Sequence, residues 1–372
     1  MEPQSTYTII GLMSGTSGDG LDIACCDFFK NETWDFKIIK AETIPFPPNL
    51  EQSLKTAHLL NAAELECLDM EFGQWMGQTC SDFCDKYKLN PMAIASHGHT
   101  VFHRPEIKLT KQIGNGFSLS ESSGFPVIND FRKLDVFLGG QGAPLVPIGD
   151  AQLFQEFDFA LNLGGIANIS MDSNGVRLAF DTCPFNLLLN HFSLKLGKPF
   201  DEDGEFAKSG VVIPEILKTL EELPFYQQSG AKSLGRENIT EDYLPVLDHI
   251  DHSPQDLLAT LCEHFANCIA REVLSHTKPT SIHQKLLVTG GGAYNAFFVQ
   301  RLESKIKSKV NLIIPEKQII DFKEALVFAF LGLLRLRNEN NCLASVTGAS
   351  RDNCGGTVFG HFKLKGTIEI NT

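Results

Sequence analysis

No Cys-x-x-Cys pair occurs among the ten cysteines of this 372-residue chain, and their spacing fits no disulfide framework. The pattern reads as free thiols in a reducing compartment, small buried hydrophobes rather than a redox or metal site. Adjacent Cys25 and Cys26, and Cys80 and Cys84 one helical turn apart, follow that reading. Positive charge is also scarce: 32 lysines and arginines against 45 acids leave a net charge of −13. That excludes a broad basic face for nucleic acid or an anionic membrane, though a locally basic cleft is still permitted. Long apolar runs are missing too. The longest, Ala325–Leu334, is too short to span a bilayer and reads as a core helix. Met1–Thr6 is polar, with no charged stretch leading into an apolar one, so a cytoplasmic protein is expected. The length suits two domains.

Glycine, by contrast, is concentrated where strands turn. One segment runs Thr8-Ile9-Ile10-Gly11-Leu12-Met13-Ser14-Gly15-Thr16-Ser17-Gly18-Asp19-Gly20-Leu21-Asp22, and a second Phe159-Ala160-Leu161-Asn162-Leu163-Gly164-Gly165-Ile166-Ala167-Asn168-Ile169. Each is an apolar strand, a tight glycine turn with a small hydroxyl or amide, and a second apolar strand, the signal of a hairpin. Glycines there let backbone N–H groups turn inward on an anion. Two such cradles point to a duplicated nucleotide-binding architecture whose halves grip one polyphosphate. The first is no Walker loop, because no Lys follows its glycines, and no dinucleotide fingerprint, because it leads into a strand. Three glycines, three hydroxyls and an acid between Ser14 and Gly20 exceed what a plain hairpin turn needs, which favours phosphate binding. Asp19 would then act on the water shell of Mg2+, an ion that uses few protein ligands.

Apolar spacing predicts a third strand at Trp34–Ala41, a helix over Ala62–Lys88, and strands at Met92–Ser96 and Pro126–Asp130. A Gly/Pro-rich crossing, Leu138–Pro147, follows, and the boundary is placed near it. Residues 1–130 form an N-terminal domain and 131–372 a C-terminal one, whose extreme C-terminus packs back on the first. The second half repeats the plan. A strand Val176–Phe180 ends at Asp181, and Pro184 opens a helix to about Leu196. Helices at Val211–Leu223, Pro254–Ser275, Ala296–Lys307 and Phe322–Leu336 flank strands Lys285–Thr289 and Val310–Ile314. The expected fold class is α/β, two domains with mixed sheets.

Leu286–Asn295 reads as a buried strand, a triple glycine and a helix start. Glycines there remove side chains that would block a flat ring, and a helix N-terminus favours negative charge. Alone it is a close-packed turn; beside the two hairpins it becomes the nucleoside segment. His97, His99 and His103 cluster, but their spacing fits no helical zinc pair, no acid or cysteine cluster completes a set, and Arg104 disfavours a cation. They are read as a polar substrate loop. Asp181 ends a strand, where α/β proteins place chemistry. It is either a general base toward a hydroxyl or water, or a cap for the next helix, and the sequence leaves both open.

In order along nearly the whole chain, Gly11–Asp22, Ser96–Thr100, His103–Pro105, Asp130–Arg132, Leu138–Pro147, Asn162–Ile169, Phe180–Asn186, Asp203-Gly204 with Ser209-Gly210, Gly290–Asn295 and Val346–Asp352 resemble the motifs of the anhydro-N-acetylmuramic acid kinase family. The resemblance implies a two-domain actin-like (ribonuclease H-like) ATPase fold around a central cleft, and a homodimer. It implies ATP and Mg2+ as cofactors. The implied reaction opens the 1,6-anhydro ring of 1,6-anhydro-N-acetylmuramic acid with water and phosphorylates its 6-oxygen, a step in peptidoglycan recycling. By position Asp181 matches the catalytic aspartate, drawing a proton from the attacking water, and also counts as a sugar contact with His97, Arg132 and Glu324. ATP falls to Ser14, Gly15, Thr16, Ser17, Gly18, Asp19, Gly20, Leu21 and Asp22 on the first hairpin. Gly164, Gly165 and Asn168 serve it on the second, with Gly290, Gly291, Gly292 and Asn295.

The chain departs from the family's pattern at Gly18, usually bulky and apolar, and at Cys183 and Phe185, usually glycine. A ring just past the catalytic carboxylate is expected to reshape the sugar pocket. A kinase of another anhydrosugar such as levoglucosan, which shares these motifs, is therefore the alternative. A nucleotide-dependent, chaperone-type binding protein is the alternative of another class. Hinge closure is expected at Leu138–Pro147 or at the other interdomain crossing.

Overall fold

Thr6–Ser14 (β1) and Leu21–Lys30 (β2) pair antiparallel, with Ser14 opposite Leu21. Trp34–Ile44 (β3) completes the meander. Ala93–Ser96 (β4) lies parallel to β1, and His99–Arg104 (β5) with Leu109–Ile113 (β6) makes a separate two-stranded ribbon. Val127–Asn129 (β7) lies parallel to β4. A second meander, Phe159–Leu163 (β8), Ile166–Ser173 (β9) and Val176–Pro184 (β10), is extended by Gln284–Thr289 (β11) and Val310–Ile313 (β12). Thr357–Phe359 (β13) closes the first sheet against β7. The strand orders are β13-β7-β4-β1-β2-β3 and β10-β9-β8-β11-β12. In both, an antiparallel meander is extended from its first strand by two parallel strands, so the duplication extends to whole sheets. This computed structural model describes residues 6–14, 20–228, 232–248, 252–279 and 283–361. Gly15, Thr16, Ser17, Gly18 and Asp19 lie outside them.

The chain divides into two compact units, one of residues up to Leu153 and from Phe322 onward, the other Phe154–Asp321. The crossings thus fall at 153/154 and inside the helix Lys317–Leu336 rather than at 130/131. Physical clasps hold residues 131–153 in the first unit. Asp135, fully buried, accepts through Oδ1 from the Thr347 hydroxyl (2.8 Å), Asn353 Nδ2 (3.0 Å) and Cys342 Sγ (3.0 Å), and through Oδ2 from the Gly142 amide (2.8 Å). Gln141 N–H donates to the Thr347 carbonyl at 2.8 Å. The glycines of 138–147 therefore serve close packing within one unit, and this segment is not a linker.

In the first unit the helix Ala62–Tyr87 starts with a reciprocal capping box: Asn61 Oδ1 accepts from the Ala63 and Glu64 amides, and Glu64 accepts from the Asn61 amide. Leu68, Phe72, Met76, Cys80 and Phe83 form its buried stripe. In the second unit the helix Pro254–Ser275, capped by Ser253, covers β10 with Leu257, Leu261, Phe265 and Ile269. Burial raises the thiols of Cys25, to about 12, and Cys84, to about 11, as inert structural cysteines require, whereas Cys67 is exposed. Among the described residues, no helix is long and apolar enough to cross a membrane.

Candidate active site

A transverse row at one end of the five-stranded sheet collects polar side chains. Thr289 pairs with Asn162, Asn162 with Asn168, and Asn168 with Asp181. Residues in register share a face, about 4.8 Å apart from strand to strand. Their chain neighbours Leu161, Leu163, Ala167, Ile169 and Phe180 fill the core, so the row stands on the opposite face.

The β8–β9 turn borders this row. The Gly165 carbonyl accepts from the Phe185 and Leu187 amides, and the Gly164 carbonyl from the Asn186 amide. Because a trans peptide sets its N–H opposite its C=O, the Gly165 and Ile166 amides point away from the helix Asn186–Leu194. A Cβ on Gly165 would meet Leu187 Cγ at 3.1 Å; what it crowds first is the helix, not the amide side.

Gly290 has φ +80°, and a Cβ there would lie 2.6 Å from Asn162 Oδ1. At Gly292 it would lie 2.3 Å from Phe185 Cε1, whereas at Gly291 nothing comes nearer than 3.8 Å. The outer two glycines thus let the loop lie on β8 and Phe185, and Gly291 offers the open face. No helix starts at the glycines: a 3-10 turn, Gly291–Tyr294, comes first, and Asn295 Oδ1 caps the helix Ala296–Ile306 by accepting the Phe298 amide at 2.9 Å.

Asp181 does not cap a helix. β10 runs to Pro184, the next helix starts at Asn186 without a side-chain cap, and the Thr182 hydroxyl donates to the Ala167 carbonyl. Instead Asp181 Oδ2 accepts the Leu234 amide (2.8 Å) and the Ser233 hydroxyl (3.3 Å). Burial pushes the Asp181 carboxyl above its ordinary value, and those two donors oppose the rise. Residues 232–234 carry no period and no glycine turn, so nothing in their sequence pointed to this contact.

The departures at Cys183 and Phe185 do not face the row. Both are fully buried in the second unit's core, with the Phe185 ring centroid 4.6 Å from that of Phe298 and 5.6 Å from that of Phe265. The Phe185 ring, expected to reshape a sugar pocket, is thus taken up in packing the core.

The first unit gathers Asp22, His97, Arg132 and Glu324. A Cβ on Gly11 would sit 1.8 Å from the Ala325 carbonyl oxygen, so glycine alone lets β1 lie against the helix that carries Glu324. His97 Nε2 accepts from Arg132 Nε (3.1 Å) and Nη2 (2.8 Å), which leaves Nδ1–H to donate to the Gly98 carbonyl (2.9 Å). Burial and the Arg132 charge hold His97 well below its ordinary value, so it is neutral. Arg132 Nη1 also donates to the Gly142 carbonyl at 2.6 Å, and burial brings this guanidinium down to about 10. Burial and the nearby Asp22 raise Glu324, against the pull of Lys323 and Arg132. Asp22 Oδ1 accepts from the Thr43 hydroxyl at 2.5 Å. His99 and His103 are not in a loop but in β5, paired with Ser14 Oγ (3.1 Å) and Thr110 Oγ1 (3.0 Å).

Two sheets of the same plan in one chain, the second with a glycine turn beside a row of polar side chains, make this a duplicated α/β protein. The chain belongs to the anhydro-N-acetylmuramic acid kinase family, whose model matches residues 7–361. It is 35% identical to the anhydro-N-acetylmuramic acid kinase of Mannheimia succiniciproducens, covering 94% of this chain and 98% of that one. It is 32% identical to that of Acinetobacter baylyi, covering 95% and 99%. A hexokinase of the ROK group from Thermus thermophilus aligns with a TM-score of 0.39 at 12% identity, over 88% of this chain and 100% of that one.

Proposed function

We propose that this kinase takes ATP, water and 1,6-anhydro-N-acetylmuramic acid to N-acetylmuramic acid 6-phosphate and ADP, in the recycling of peptidoglycan. The observation that carries the reading is the family match over residues 7–361, within which Asp181 stands bare of any capping duty, just before the bulge in β10. In the proposed step Asp181 accepts a proton from water as the water oxygen bonds to the anomeric carbon. The bond from that carbon to O6 breaks, and O6 takes the γ-phosphoryl group. A base must be ionised to act, so the raised carboxyl of Asp181 puts the acid limb of activity above the ordinary carboxylate range.

The Gly165 and Ile166 amides and the open face at Gly291 fit an ATP phosphate and its ring. Mg2+ would neutralise phosphate charge while keeping most of its waters. Asp19 is the residue assigned to it, and Asp22, a carboxylate at the described base of the same hairpin, is a donor of the type it prefers. Neutral His97 would hold the Arg132 guanidinium toward polar groups of the sugar, with Glu324 bonding its hydroxyls. A cytoplasmic homodimer completes the proposal.

Product identification with a panel of anhydro- and ordinary hexosamines tests it. The muramic acid 6-phosphate is expected from the anhydro-N-acetylmuramic substrate, with no ATP turnover in the absence of sugar. Preferential turnover of levoglucosan, or ATP hydrolysis without sugar, would overturn it. Asp181→Asn is expected to bind both substrates while turning over at least about 10²-fold more slowly; near-normal turnover would remove the base assignment.

A further inference from the structure

We propose that Ser233 is a positioning residue for Asp181: with the Leu234 amide it ties one carboxylate oxygen, Oδ2, and leaves Oδ1 as the oxygen that receives the proton. The inference rests on Asp181 being the base. Among the described residues Oδ1 makes no hydrogen bond, while Oδ2 has two donors, at 2.8 and 3.3 Å. The main chain closes the same corner from the other side, the Asp181 amide donating to the Lys232 carbonyl at 2.9 Å. Turning the carboxylate would break both bonds, which holds Oδ1 in one place for a water to be met there.

The segment that supplies the donors is itself anchored. Lys232, its side chain only 5% exposed, pairs with Glu272 at 3.2 Å and lies over the Phe225 ring. Leu234 is buried in the core, and the Gly235 amide donates to Asn238 Oδ1 at 2.8 Å. Among the described residues, the titratable and charged groups near this corner include Cys183 on β10, Lys232 with its partner Glu272, Glu237 against Gly235, and His276 against the Phe180 ring. Of these, none donates to Asp181. Its carboxylate is therefore held by Ser233 and Leu234, and hydrogen bonds to the ionised form favour that form. Removing the hydroxyl must make Asp181 harder to ionise.

The test is kcat/KM for the anhydrosugar against pH, at saturating ATP, for the wild type, Ser233→Ala, Ser233→Thr and Asp181→Asn. Melting curves are run alongside; the exposed Ser233 hydroxyl supports no core, so Ser233→Ala is expected to fold. In Ser233→Ala the acid limb should move to higher pH by about half a unit, the scale of one weak donor. That is about a threefold loss on the limb, and Ser233→Thr should restore the wild-type limb. An unmoved limb in Ser233→Ala, with Asp181→Asn inactive, overturns the positioning role and leaves the base standing. Turnover retained in Asp181→Asn, or a wild-type profile without an acid limb, overturns both.

Discussion

Single side chains in the first unit divide between those that would meet a substrate and those that aim them. Arg132 gives three donors to two fixed acceptors, the His97 ring nitrogen and the Gly142 carbonyl, so its plane is set before any ligand arrives. Truncating His97 should free that plane. We expect His97→Ala to lower kcat/KM for the sugar by about tenfold or more, the scale of a lost hydrogen bond to a charged group, while KM for ATP stays put. His97→Gln, which restores an acceptor, should recover part of the loss. Steady-state kinetics in both substrates decides this: an equal rise in KM for ATP would show that His97 only supports the fold. Since His97 is held well below its ordinary value, no limb from it is expected near neutral pH.

At the scale of elements, Phe185 and Gly292 form one packing unit. The ring fills the space that a Cβ on Gly292 would need, which couples the turn after Asp181 to the glycine loop after β11. Phe185→Ala should cost about 3–5 kcal/mol in urea unfolding, as for other fully buried rings. Gly292→Ala should also destabilise, by overlap. In the double mutant the two costs should add to less than their sum, because the lost ring makes room for the new methyl. Leu163 Cβ, 2.7 Å from the same point, keeps that relief partial. Strict additivity would separate the two elements.

At the scale of the whole molecule, two sheets with their own cores need not unfold as one two-state system. A ligand bound only by the folded chain still adds stability by mass action. A non-hydrolysable ATP analogue at about 100 times its Kd should contribute about 2.7 kcal/mol, read as a rise in melting temperature by scanning calorimetry. Asp181→Asn should show the same rise, since a base acts on water and not on nucleotide. Loss of the rise in that variant would move Asp181 into the nucleotide site.

Local chemistry made much of this protein legible before folding. The glycine hairpins, the strand from Val176 that carries Asp181 and the helix from Ala62 follow from turn geometry and apolar period, which act over a few residues; that strand runs on past Asp181 to Pro184. The ordered motifs identified the family for the same reason: each is a short run whose backbone must lie close to something. What the tertiary structure alone decided depends on where a side chain ends up among distant neighbours. Cys183 and Phe185, beside Asp181 in sequence, turn into the core because β10 bulges between Asp181 and Cys183. Residues 138–147 resemble a linker but are held by Asp135 to residues more than two hundred positions away. Ser233 and Leu234 reach Asp181 across some fifty residues. No period or local turn encodes such contacts; only the burial that closes each core brings them together.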